Sequence, residues 1–155
     1  MYQRILVLSF LFVASIVRGD EIINALNEMN GLIKQTGNPK VFAERVIEKI
    51  KHDDCRDLLP LINGQSEYFN DTEYFYAKCI YQSRQFGKIM SSEYGPIVFA
   101  PLGRNGGPPL IPSQKVYVQV EHDGKAEERG IFINFLPANG RFEIVDVDFI
   151  FGKVR

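Results

Sequence analysis

Two aspartates, Asp146 and Asp148, stand two positions apart in the run Arg141–Phe151 (RFEIVDVDFIF), the most β-prone segment of the chain. Neighbours at i and i+2 on a strand project from one face about 6.5 Å apart, close enough for each carboxylate to bias the titration of the other. Perturbed carboxylates are the groups that proton-transfer chemistry uses. Counting strand register from the turns sets Arg129 diagonally from Asp148, where it would hold that acid ionised and leave Asp146 as the perturbed one. Tyr117 and His122 are hydrogen-bond donors nearby, with Tyr117 on the opposite face. The plainer reading is structural. Acids at a sheet rim are solvated or paired, His122 flanks a turn, and His52 sits as a favourable cation at a helix end.

Cys55 and Cys79 are the only cysteines. With His52 and His122 they form no recognisable metal-ligand spacing, and no companion residues point to a catalytic thiol. An even pair in an exported chain reads as a disulfide, and closing the loop between them contributes about 3.5 kcal/mol in the chain-entropy account. Asn70-Asp71-Thr72 is an acceptor sequence for N-glycosylation and belongs at the surface. No cofactor or metal motif is present.

The elements that must position these residues centre on Lys115–Phe151. Lys115–His122 alternates, with Val116, Val118 and Val120 on one side. Asp123-Gly124 and Asn139-Gly140 are type I′ turn signals, so His122 faces Lys125 and Ala138 faces Arg141. Val116 then lies opposite Ile131, and Ile131 opposite Asp148. One face collects Val116, Val118, Val120, Ile131, Ile133, Phe135, Phe142, Ile144 and Ile150, and Arg129, Asp146 and Asp148 fall on that same side. A bulge at Gly130 would exchange the faces of everything before it.

Upstream, Asn38-Pro39 opens a helix whose stripe is Phe42, Val46, Ile47 and Ile50 and which ends near His52. Asp53 or Asp54 caps a short helix carrying Leu58, Leu59 and Leu61, with Asn63-Gly64 ending it. The aromatics of 66–81 fit short strands about as well as a helix. Ser83 reads as the cap of a helix over 84–94 with Phe86, Ile89 and Met90 inward. Residues 95–113 hold five of the eight prolines and four of the thirteen glycines, which excludes regular structure throughout; Ile97–Ala100 fits a short strand, and the rest a lid or an ordered connection.

Residues 1–19 read as a secretory signal peptide, with a cation at Arg4, an apolar run from Ile5 to Val17 and small residues at the end. Those 13 apolar-run residues, two of them serine, are too few to span about 30 Å of hydrocarbon as a helix. Removing the leader takes Arg4 and Arg18 and no acid from 18 basic and 19 acidic residues, so the net charge moves from −1 to about −3. Nothing in that charge points to nucleic acid, and no later segment predicts membrane insertion. Residues 20–37 predict a loose helix or an arm, and 38–155 a single α+β domain, with a curved antiparallel sheet (the C-terminal three-strand meander plus an earlier hairpin) packed on about three helices.

Helix, short helix, aromatic-rich stretch, helix and long meandering strands: this order resembles the nuclear-transport-factor-two-like superfamily, the cone-shaped α+β fold that includes ketosteroid isomerase. In particular it is similar to small secreted nematode members. The resemblance implies a pocket inside the cone, a dimer through the outer sheet face and, in enzymes, an interior carboxylate as general base, a role that would fall to Asp146. A cystatin-type protease inhibitor is the rival, but its Q-x-V-x-G motif is absent at Gln119–Gly124. The function expected is therefore a secreted, non-enzymatic domain that binds a small apolar ligand or a protein partner. The alternatives are a lyase or isomerase and a protease inhibitor.

Overall fold

A computed structural model describes residues 2–52, 55–63, 72–101 and 110–152, except for the side chains of 2–18, 100, 101 and 110. The readings placed on Asp53, Asp54, Gly64 and Asn70 lie outside the described residues. Helix α1 (Tyr2–Thr36) is followed by α2 (Pro39–Lys51), a 3-10 helix (Cys55–Leu61) and α3 (Thr72–Phe86). Four strands then run as one antiparallel meander in the order β1-β2-β3-β4: β1 (Lys88–Pro101), β2 (Leu110–His122), β3 (Lys125–Ala138) and β4 (Arg141–Ile150). The fold is α+β with a curved sheet, as expected.

Local chemistry explains the helices. Asn38 caps α2 by accepting from the backbone N–H of Lys40 at 2.9 Å, and Pro39 needs no such partner at the first helical position. Its buried stripe is Phe42, Ala43, Val46, Ile47 and Ile50. In place of an arm, 20–36 continue as helix through Gly31; Ile33 enters the core and Met29 packs against it, while Ile22 and Ile23 stay exposed.

The reading of 72–94 is corrected. Residues 72–86 form one helix, because Phe75, Cys79, Ser83 and Phe86 recur at spacings of four, four and three and are all buried. Ser83 therefore lies inside α3 and caps nothing. Of the expected helix over 84–94, residues 84–86 are the end of α3 and 88–94 are the start of a strand, and no hairpin forms within 72–81. Gly87 makes the switch at φ +91°; a Cβ there would stand 2.7 Å from the Glu121 carbonyl oxygen. β1 then pairs along β2 with irregularities between Ile89 and Ser91 and between Tyr94 and Ile97, so most of 95–101 is strand despite Gly95-Pro96.

Both hairpin turns hold as read: Asp123-Gly124 and Asn139-Gly140 have positive φ at both positions, and His122↔Lys125, Ala138↔Arg141 and Val116↔Ile131 are paired. The bulge lies in β4, however, and not at Gly130. Phe135 pairs with Ile144 and Asn134 with Asp146, leaving Val145 as the extra residue. Beyond it Ile131 faces Phe149, Val147 and Phe149 turn inward, and Asp146, Asp148 and Ile150 turn outward.

The inner sheet face is core. Val116, Val118, Val120, Ile131, Ile133 and Phe135 are sealed, and Phe42 of α2 meets the rings of Phe135 and Phe142 while Phe86 of α3 meets Phe149 at 5.0 Å. The Cys55–Cys79 disulfide, with Cα atoms 6.0 Å apart, ties α3 to the 3-10 helix, and Asn63 after that helix donates to the Ile144 carbonyl at 2.9 Å. One covalent link thus anchors α3 beside the β4 edge. A disulfide points to an oxidising environment.

Gly87→Ala should lower stability by about 1–3 kcal/mol in urea unfolding, whereas Gly124→Ala, with φ +71° and open space around it, should cost less. Equal costs would mean that close approach to Glu121 does not matter.

Candidate functional site

Asp146 and Asp148 sit on the outer face and do not meet Arg129. Their cation is Lys78 of α3. Its Nζ donates to both oxygens of Asp146 at 2.9 and 2.8 Å and to Asp148 at 3.4 Å. Asn134 adds an N–H to the second Asp148 oxygen at 2.8 Å, and the Val147 N–H meets Asp146 at 2.7 Å. The side chains of Lys78 and Asp146 are 23% exposed, that of Asp148 44%. Burial pushes Asp146 above its ordinary 3.8, and the Asp148 charge adds to the rise against the Lys78 contact. Burial works against the Lys78 charge, but the hydrogen bond and charges of Asp146, with Asp148 behind them, outweigh it and raise its pKa. This is a partly buried ion triad with its acceptors taken up, placed away from the sheet interior.

Arg129 points the other way, into the inner face, at 6% exposure. Its Nη1 donates to the carbonyls of Gln85 and Phe86 at 3.2 and 2.7 Å, closing the C-terminus of α3, where a cation is favoured. Nη2 and Nε meet Glu127 at 2.6 and 3.1 Å and hold its carboxyl below the ordinary value. The guanidinium lies 5.5 Å from the ring centres of both Phe86 and Phe151. Arg129 is thus a helix-to-sheet clamp. Tyr117 does share the outer face with the acids, but on β2, with Lys115 over its ring at 4.8 Å. His122 lies beside Asp123 at 3.7 Å, a turn-flanking position.

The sequence carried no sign of Lys78. It interrupts the apolar stripe of α3 just before Cys79, and only the disulfide and the β4 bulge bring it to the acids. Among the described residues no group of His, Cys, Asp and Glu is arranged to hold a metal ion, and no helix among them is long and apolar enough to cross a membrane.

Among the described residues two recesses open at the rim of the sheet. One, about 550 Å³, lies between the α1–α2 junction, the 3-10 helix and the β3–β4 turn, floored by Phe42, Leu61 and Phe142 with Val41, Arg45 and Arg141 around it. The other, about 350 Å³, lies at the C-terminus of α3, with Ile50, Phe86 and Phe149 below and Lys51, Arg84 and Lys88 above. Neither is lined by an Asp or Glu. A third, about 400 Å³, lies along β1–β3 beside Tyr117, with Glu93 and Glu128 in its lining. Volumes of about 300–1,000 Å³ are typical of small-molecule sites.

No protein-family model, no curated protein and no solved structure matches the chain. Its chemistry has to be argued from its own residues.

Lys78→Met leaves Asp146 and Asp148 adjacent with no cation, so it should cost about 1–3 kcal/mol at pH 7 and raise the Asp146 titration further. Asp146→Asn should cost less, because an amide oxygen still accepts from Lys78 and Asp148 remains. Lys78 binds its proton more tightly folded than unfolded, so its contribution is full below its ordinary 10.5 and fades as pH rises through the folded value. Asp146 also holds its proton more tightly when folded; its own share is present at acid pH and fades as pH rises above 3.8. Urea unfolding across pH with side-chain carboxyl NMR checks both signs.

Proposed function

We propose that this chain is a secreted, non-catalytic binding domain that takes a small, largely apolar ligand at the rim of its sheet. The carrying observation is the division of the surface: the inner face is filled by core side chains, while the rim holds two recesses with aromatic floors and cationic borders. An interior general base loses its support, since Asp146 and Asp148 stand on the outer face in contact with Lys78. Residues 1–19 act as the export signal in this reading, which the disulfide supports, and Asn70 carries a glycan. Helices followed by a curved antiparallel meander support kinship with the nuclear-transport-factor-two-like fold. A dimer through the outer face would cover the Lys78 triad.

Native mass spectrometry of the protein secreted from eukaryotic cells tests this reading. The expected species lacks residues 1–19, carries a removable glycan and retains a small-molecule mass that mild activation releases. Asp146→Asn should retain the same mass. A clean apo species would contradict the small-ligand reading and turn attention to a protein partner.

A further inference from the structure

We infer that the recess between the α1–α2 junction and the β3–β4 turn is a site for a single-chain amphipathic anion, a fatty carboxylate being the simplest example. This rests on the rim-binding reading and adds the ligand class and the residues that select it. Phe42 and Phe142 lie with ring centres 5.6 Å apart and form an apolar floor with Leu61, and Val41 stands exposed beside them. Gly37 and Gly140 border the recess without side chains, so a chain of methylenes meets no obstruction there.

The polar groups around the floor divide into spent and available. Thr36 Oγ1 donates to the Leu32 carbonyl at 2.8 Å, and the Asn38 side-chain oxygen accepts from Lys40 at 2.9 Å; both serve the helix ends. Arg141 gives its Nε to Glu143 at 3.0 Å and has its two terminal nitrogens left. Arg45 has no ion pair or hydrogen bond among the described residues. Two guanidinium groups therefore border an apolar floor that no carboxylate lines. Guanidinium forks match carboxylate and phosphate oxygens, so the complement is a negative head on an apolar tail. The recess at the end of α3 offers one guanidinium, Arg84, in place of two: Lys51 is held by Glu48 at 2.7 Å, and Lys88 stands directly opposite Glu121 across the strands.

Titration of the ¹⁵N-labelled protein with laurate, followed by NMR and calorimetry, tests the inference, with dodecanol and dodecylamine as equal-length probes. Laurate should bind one to one, shift the resonances of Val41, Leu61 and Phe142, and bind at least tenfold tighter than either probe. R45Q/R141Q should bring laurate down to the affinity of dodecanol; R45Q alone, which takes no partner from the buried Glu143, should lower laurate affinity in the same direction while keeping the thermal midpoint, and V41D should weaken all three probes. Equal binding of the three probes at these resonances would overturn the anion preference and leave the rim site standing. Shifts confined to buried inner-face residues such as Val118 and Ile131 would overturn the rim reading itself. Undiminished laurate binding by R45Q/R141Q would overturn the role given to the arginines.

Discussion

One extra residue in β4 decides which side chains this sheet buries. Because side chains alternate along a strand, inserting Val145 between the pairs Phe135–Ile144 and Asn134–Asp146 reverses the facing of everything after it. Val147 and Phe149 enter the core, and Asp146 and Asp148 leave it. The reversal also has an energetic logic. An unbulged strand would bury two carboxylates among Ile131, Ile133 and Val118, where the one inner-face cation beside them, Arg129, is already engaged by Glu127 and the Gln85 and Phe86 carbonyls. The bulge puts apolar groups there and moves the acids to where Lys78 can reach them.

The helical layer depends on the same edge. α3 lies along β4, held by the Cys55–Cys79 disulfide at its middle and by the Arg129 clamp at its C-terminus. Phe86 and Phe149 close the space between them. With α3 fixed there and α2 laid across the strands through Phe42, the inner face has become the core of the domain. The site proposed for a ligand is what the packing leaves over at the rim, where Arg45 and Arg141 border the rings of Phe42 and Phe142.

Much of this was legible from residues alone. The turn pairs Asp123-Gly124 and Asn139-Gly140 announce themselves through residues that tolerate positive φ; the first fixes the β2–β3 register, and the second the β3–β4 register as far as the bulge at Val145. Asn38-Pro39 marks α2 as clearly. The failures have physical causes. Val145 follows Ile144 and precedes Asp146, and nothing in the string IVDVD distinguishes a bulge from a continuous strand. The α3 stripe passes through Cys79 and Ser83, while the exposed Tyr74 and Tyr81 imitate strand residues. Phe86, Ile89 and Met90 stand at helical spacing, although Gly87 divides them and Met90 is exposed. Lys78 holds the place beside the acids expected of Arg129 for the same reason: each one's partner is set by tertiary register, which local spacing does not encode.

The most direct test of this account is the β3–β4 register measured by interstrand nuclear Overhauser contacts in the labelled protein. The account predicts Ile131 opposite Phe149 and Ile133 opposite Val147, with Val145 unpaired and Lys78 close to Asp146. Contacts that place Ile131 opposite Asp148 would put the carboxylates back inside the sheet, and an interior acid would again be the first candidate for chemistry.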